Sequence, residues 1–444
     1  MTDLAIRLRL PGTRSAALFD EEARFLAPGT QSVALFSQLS FERGEGAILW
    51  DVDGNRYVDL LAGVGVASLG YAHPRYVKAI QDQIAKIHVG SFTSVHRAAL
   101  LRLLAEVTPG DLNRTQLYSS GAEAVESAIR LARAATGKRE VIGFWGGFHG
   151  KTAGVLPLLG SNFKHGLGTL MPGAYSTPYA SCSRCELGLE FASCRWRCVE
   201  LLERKIELET GNDVAAIIVE PIQGTAGNVV PPAGYLRLLR EVADRIGALL
   251  ICDEMITGFG RTGPMFAVEH DAIVPDILTV GKGFGAGFPI SGVITREEIA
   301  FAKPWANPSG SSSSYGGNPL AAAAAHASLS IVQEEGLVEH SRVLGARMLT
   351  RMRRWEEEIP IVHDVRGRGL MLGMDLVEPG TETLLDKRVT RGIFDACLER
   401  GVLAMIYNPE VRINPPLVLT EEQAFEALDI VEEVLRDAAD RLAA

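Results

Sequence analysis

Six short apolar runs, separated by stretches with helical periodicity, constrain this chain more than any other feature. The runs are TQLYSS, EVIGFW, AAIIVE, ALLICDE, DILTVG and SGVIT, rich in valine, isoleucine and leucine and without strict alternation. Continuous apolarity of this kind marks strands covered on both faces, as in a parallel sheet. Between them lie AEAVESAIRLARAATG, PAGYLRLLREVADRIG and NPLAAAAAHASLSIVQEEG, each patterned as a helix. Repeated strand–helix alternation predicts a doubly wound α/β domain over residues 61–335. A chain of 444 residues is too long for one ordinary core. AILWDVDGNRYVDLL reads as a hairpin around Asp53-Gly54, and after residue 335 the pattern shifts to helices with a few strands. The expected organisation is a large, mostly parallel sheet domain plus a smaller α+β domain built from residues 336–444. Residues 1–60 would pack with the smaller domain.

Charge and cysteine usage narrow the function classes. Forty-four basic residues against 54 acidic ones give a net charge of −10, which argues against a nucleic-acid partner. No apolar stretch approaches the roughly 18 residues that span a bilayer. MTDLAIRLRLPGTRS has no apolar core of a secretory leader, so no membrane association is expected and the expected compartment is the cytoplasm. Four of the six cysteines crowd into SCSRCELGLEFASCRWRC, as Cys182, Cys185, Cys194 and Cys198. The paired spacing could hold zinc, but the loop between the pairs is short for a zinc ribbon. The expectation is a compact insertion, residues 178–200, with reduced thiols and no metal.

The chemistry-bearing residues follow the apolar runs. Ser120 and Gly121 come after TQLYS, Phe148 and His149 after EVIGFW, Glu220 after AAIIV, Asp253 after LLIC, and Lys282 after ILTV and a glycine. In open α/β sheets ligands bind beyond the carboxyl ends of the strands, so five strands would deliver these residues to one edge. A lysine and a carboxylate there can hold a flat, nitrogen-containing cofactor between them. The lysine can form a Schiff base with an aldehyde, and the aspartate can keep a ring nitrogen protonated. Ser120-Gly121-Ala122 opens a helix whose unpaired amides can cradle a phosphate; a plain serine cap of that helix explains the same residues. PSGSSSSYGGNP has the composition of a linker, but it leads into a helix with proline at its first position and reads as a functional loop.

SGAEAVESAIRLAR, GFHGKT, IIVEPIQG, CDEMITGFGRTG, TVGKGFGAGFP, YGGNPLAAAAA and VRGRGLMLG together resemble the ordered motifs of class III aminotransferases. The likeness runs over residues 45–418. It implies the pyridoxal-phosphate fold type I and a homodimer with active sites shared between subunits. The substrates would be small amines paired with amino and keto acids. By that resemblance Lys282 would bind the cofactor covalently and shuttle the substrate proton, Asp253 would pair with the pyridine nitrogen, and Phe148 would stack on the ring. Ser120, Gly121 and Ala122 would hold the phosphate, with Ser314, next to Ser313, reaching it from the partner subunit. His149, Glu220 and Met255 would complete the cofactor's surroundings.

Departures from the amino-acid-specific members bear on the substrate. Lys151 follows the FHG motif where relatives carry an arginine clamp for a carboxylate, and a lysine lacks the fork. Thr225 stands where those relatives have a glutamate that masks a second arginine. That arginine stands here as Arg412, open to the α-carboxylate of a donor such as glutamate. Ile256 replaces a glutamine, and Val64 is a further expected substrate contact. These point to a substrate whose reacting end lacks a carboxylate, an amino sugar of an aminoglycoside or a polyamine, as in the putrescine and antibiotic-biosynthetic branch. An ordinary ω-amino acid of the 4-aminobutyrate type is the alternative, as is elimination on an amino sugar. A P-loop nucleotidase is a remote rival, because the glycine required five residues before Gly150 is Trp145.

Overall fold

In chain order the strands are β1 (Phe41–Glu45), β2 (Ile48–Asp51), β3 (Arg56–Asp59), β4 (Arg114–Tyr118), β5 (Glu140–Phe144), β6 (Ala174–Thr177) and β7 (Val214–Val219). They continue with β8 (Leu249–Asp253), β9 (Ile277–Val280), β10 (Ser291–Thr295), β11 (Val362–Arg368), β12 (Met371–Leu376), β13 (Val402–Leu403) and β14 (Glu410–Ile413). They come from a computed structural model that describes residues 10–443. The described chain divides into two compact units, one of residues 75–339 and one of residues 10–74 with 340–443.

Within Arg75–Glu339 the six apolar runs all become strands of one seven-stranded sheet, in the order β4-β10-β9-β8-β7-β5-β6. Strands β5 to β9 pair parallel. β10 runs antiparallel to both its neighbours, β4 and β9. Reversing twice leaves β4 pointing the same way as β9, so the carboxyl ends of β4, β5, β7, β8 and β9 share one edge. The seventh strand, β6, is absent from the apolar pattern. Its sequence AYST sits at the sheet margin and is only half-buried over most of its length, so no apolar run was needed to make it.

The lack of alternation in the central strands has a direct cause. Ile218, Ile251, Ile277 and Val293 pack with Val125, Ala128, Ile129 and Leu131 of the helix Gly121–Thr136. Their neighbours Ile217, Val219, Leu250, Cys252 and Leu278 enter a second core with Leu236, Leu239 and Val242 of the helix Tyr235–Ile246. Both faces are therefore dry, and every position in β7 is buried. Helix ends follow local chemistry: Asn318 caps Pro319–Glu334 by accepting from the Ala321 amide at 2.9 Å. Gly137 ends Gly121–Thr136 in a left-handed conformation.

The other unit holds two smaller sheets, β1-β2-β3-β13 and β11-β12-β14. β2 and β3 form the expected hairpin. The Asp51 carboxylate accepts the amides of Asp53 at 3.0 Å and Asn55 at 2.8 Å, and the hydroxyl of Tyr57 at 2.8 Å. Among the described residues no helix is long and apolar enough to cross a membrane.

Candidate active site

Asp253 ends β8 with its side chain almost fully buried. Register places it opposite Thr279 of β9, and the Thr279 hydroxyl donates to Asp253 Oδ1 at 3.0 Å. The Met255 amide donates to the same oxygen at 3.2 Å, and His149 Nδ1 lies 2.7 Å from Oδ2. Asp253 is thus fixed from three directions. His149 is buried with it. Burial disfavours the imidazolium, yet the hydrogen bond and charge of Asp253, with Glu220 behind it, more than offset that and raise the pKa above the ordinary histidine value. Lys282 opposes the shift, which places its ammonium within electrostatic reach of the pair.

Lys282 follows β9 after Gly281 and is half-buried. Its φ is +47°, a left-handed conformation that a side chain with a Cβ rarely takes and that costs on the order of 1–2 kcal/mol. Such strain concentrates where a side chain must be aimed. Met255 fills the space between Lys282's strand end and the next helix. A Cβ on Gly281 would stand 2.6 Å from the Met255 sulfur, and one on Gly121 would stand 3.2 Å from it.

The loop after β5 is held by Glu220, at the end of β7. Its carboxylate accepts the Phe148 amide at 2.8 Å and the Gly224 amide at 3.1 Å. Burial pushes the Glu220 carboxyl up, against the pull of His149. Gln223 adds a bond to the Trp145 carbonyl at 2.8 Å. Gly160 clasps the same turn from below, donating to Gly147 O at 2.9 Å and accepting from Gly146 N at 3.2 Å. Phe148 itself is half-buried and meets Phe163 edge-on, with centroids 6.0 Å apart.

Ser120 caps the helix Gly121–Thr136, its hydroxyl accepting from Glu123 N at 3.3 Å while Glu123 reaches back to Ser119 N at 3.0 Å. The plain capping role is therefore present. It coexists with a second one: the amides of Gly121 and Ala122 donate to no acceptor among the described residues. Ser291, at the start of β10, ties the Ser120 carbonyl at 2.7 Å.

The structure brings Ser120, Gly121, Ala122, Phe148, His149, Glu220, Asp253, Met255 and Lys282 to one sheet edge. Lys151 is exposed, its ammonium 4.3 Å from the Phe163 ring centre. Thr225 is half-buried beyond β7, and Ile256 is buried where a Cβ on Gly224 would meet it at 3.2 Å. Ser313 and Ser314 lie on the 311–315 segment, half-buried and exposed respectively. Val64 and Arg412 belong to the other unit; Arg412 is on β14, paired with Gly373 of β12. Sequence reasoning missed Thr279, Gln223 and Gly160. Thr279 carried a signal, as the one polar residue inside ILTV; Gly160 carried none.

A lysine and a buried aspartate at the carboxyl edge of a parallel sheet, beside free helix amides, define a cofactor-dependent group-transfer site. The family model Aminotransferase class-III matches residues 30–435, and the chain belongs to that family. It is 40% identical over 396 residues to an acetylornithine aminotransferase of Methanopyrus kandleri, covering 88% of this chain and 93% of the relative. It is 35% identical over 404 residues to a leucine/methionine racemase of Thermococcus litoralis, covering 90% of each. A solved (S)-enantioselective omega-transaminase of Thermomicrobium roseum superposes with a TM-score of 0.88 at 31% identity, covering 97% of this chain and 99% of that one.

The enzyme is thus a pyridoxal-phosphate-dependent aminotransferase of fold type I, and its own residues fit the cofactor. A carboxylate offers about four acceptor positions; Asp253 uses three within the protein, which leaves one for a ring N–H. The two unpaired amides at Gly121 and Ala122 suit a phosphate at the helix N-terminus. The absence of side chains at Gly121 and Gly281 lets Met255 pack between them at this edge.

Proposed function

We propose that this enzyme transfers an amino group between a terminal primary amine and a 2-oxo acid such as 2-oxoglutarate, with Lys282 as the proton-moving base. The observation that carries this reading is the Asp253 carboxylate, clamped by Thr279, Met255 and His149 with one acceptor position to spare, and with Lys282 within electrostatic reach of His149. When bound, the cofactor supplies an electron sink that stabilises negative charge at the substrate carbon. Asp253 would hold the ring-nitrogen proton, and His149 orients Asp253 through their 2.7 Å hydrogen bond. Gly121, Ala122 and Ser120 would hold the phosphate. Phe148 would stack on the ring, and Glu220 fixes Phe148 through its amide. Lys282 takes a proton from the substrate carbon and returns it at the neighbouring position.

The acetylornithine aminotransferase and the omega-transaminase among the similar proteins support a terminal-amine substrate. Lys151, exposed against Phe163 and lacking a guanidinium fork, supports one without a carboxylate at the reacting end, such as a polyamine or an amino sugar of an antibiotic. Arg412, with Thr225 and Val64, would then serve the amino-acid half-reaction. We place the active form in the cytoplasm as a homodimer in which Ser313 and Ser314 complete the partner's phosphate site. The run from Ile84 to Val95 supports that assembly: it exposes Ile84, Ile87, Val89, Phe92 and Val95 together.

The deciding experiment supplies 4-aminobutyrate, N-acetylornithine, putrescine and an aminoglycoside with 2-oxoglutarate and measures glutamate formed. Turnover of the last two alone supports the carboxylate-free substrate; turnover of the first two alone replaces it with the ω-amino-acid reading. The racemase relative adds a second assay, the loss of optical purity of a single amino acid in the absence of any oxo acid. A deoxygenated product would mark elimination instead.

A further inference from the structure

The insertion that carries four cysteines is not used by the site above. Phe191–Cys194 is one helical turn, and Arg197–Glu209 is the helix that follows. Arg195 and Trp196 join them, with φ of +47° and +62°. Two consecutive left-handed residues with bulky side chains are an uncommon backbone conformation. Cys194 stands immediately before these two residues and Cys198 in the first turn after them.

Aromatic packing holds this junction in place. Trp196 stacks on Tyr235, with ring centres 6.2 Å apart and planes 12° apart, and meets Phe191 edge-on at 5.2 Å. Cys182, Cys185, Cys194 and Cys198 are all thiols and all half-buried, whereas Cys252 and Cys397 are buried. The Cys198 sulfur lies within electrostatic reach of Cys194 and Cys185. Burial raises the Cys198 thiol, opposed by the Val199 amide at the start of its helix. Among the described residues no group of three or more histidines, cysteines or acids is arranged to hold a metal ion.

We propose that Cys194 and Cys198 form a reversible dithiol–disulfide site on the surface of this enzyme. The reactant is a low-molecular-weight disulfide of the glutathione class. One thiolate of the pair attacks a sulfur of that disulfide and expels one small thiolate, leaving a mixed disulfide on the protein. The second cysteine then attacks the protein sulfur of the mixed disulfide, forms the intrachain S–S bond and expels the other small thiolate. The two cysteine protons pass to the two released thiolates. The protein loses two electrons, and the small disulfide gains them.

The cofactor-loaded enzyme is equilibrated in glutathione buffers of graded oxidation, alkylated and mapped by mass spectrometry. The expected result is loss of two of the six alkylatable thiols per chain, a Cys194–Cys198 crosslink, and full recovery with dithiothreitol. C194S should instead accumulate a mixed disulfide on Cys198, and C198S should form no Cys194 crosslink. Because Trp196 sits inside the closed loop, oxidation should change the tryptophan fluorescence of the parent and not that of W196F. Unchanged alkylation of all four cysteines at every buffer ratio overturns the proposal. So does a crosslink confined to Cys182 and Cys185, or a zinc ion that copurifies and shields the four thiols.

Discussion

Asp253 is held by three hydrogen bonds, to Thr279, Met255 and His149. Removing one of them should be felt there first. His149→Ala leaves a buried carboxylate short of a partner, at a cost of about 1–3 kcal/mol. The expected outcome is a matching weakening of cofactor retention, roughly tenfold or more, read by equilibrium dialysis of pyridoxal phosphate. Because the His149 pKa is raised in the fold, the stabilising charge of this pair is fully present below the ordinary histidine pKa. It is lost as pH rises through the raised value, so retention should fall on the alkaline side. Lys282→Ala should cut turnover by about 10²- to 10⁴-fold, the range of a positioned general base, with an unchanged far-ultraviolet dichroism spectrum. Glu254 is a separate case. It is fully buried against Thr257 and the Val268 amide, and burial pushes its carboxyl up to about 7. A raised carboxyl favours the protonated fold, so its contribution is complete below the ordinary 4.5 and disappears as pH climbs through about 7. Glu254→Gln should flatten that fall, which is on the order of 3 kcal/mol, in urea titrations at pH 5 and pH 8.

At the scale of elements, the strand-end logic was legible because each strand of the large sheet is dry on both faces. Ile218 and Val219 face opposite cores, so no polar residue interrupts VAAIIV until Glu220 emerges at the edge. That contrast is what a sequence can display. Strand β6 gave no such contrast, since an edge strand needs only one covered face and AYST supplies hydroxyls. The reversal of β10 was equally hidden: SGVIT is as apolar as its neighbours, and direction is set by the connection rather than by composition. Gly160 illustrates the remaining gap. A Cβ there would fall 2.0 Å from the Gly146 nitrogen and 2.6 Å from that of Gly147, backbone atoms that cannot swing aside. Gly160→Ala should therefore destabilise the fold by about 1–3 kcal/mol and loosen Phe148. Thermal denaturation and cofactor release, measured on the same sample, would check both.

For the whole molecule, the exposed run from Ile84 to Val95 predicts association. Light scattering should give twice the 47.8 kDa chain mass. Phe92→Asp should shift that mass downward while changing monomer stability by less than about 0.5 kcal/mol, since Phe92 is 83% exposed. A second global property follows from the left-handed backbone at Lys282. Glycine is ordinarily a worse tenant of a helix interior than alanine, yet at φ +47° the preference inverts. Of two dead variants that both lack the amine, the glycine one should therefore melt later than the alanine one, by about 1 kcal/mol. On backbone grounds alone glycine would suit this position better; the amine role proposed for residue 282 gives a reason for a lysine to stand there.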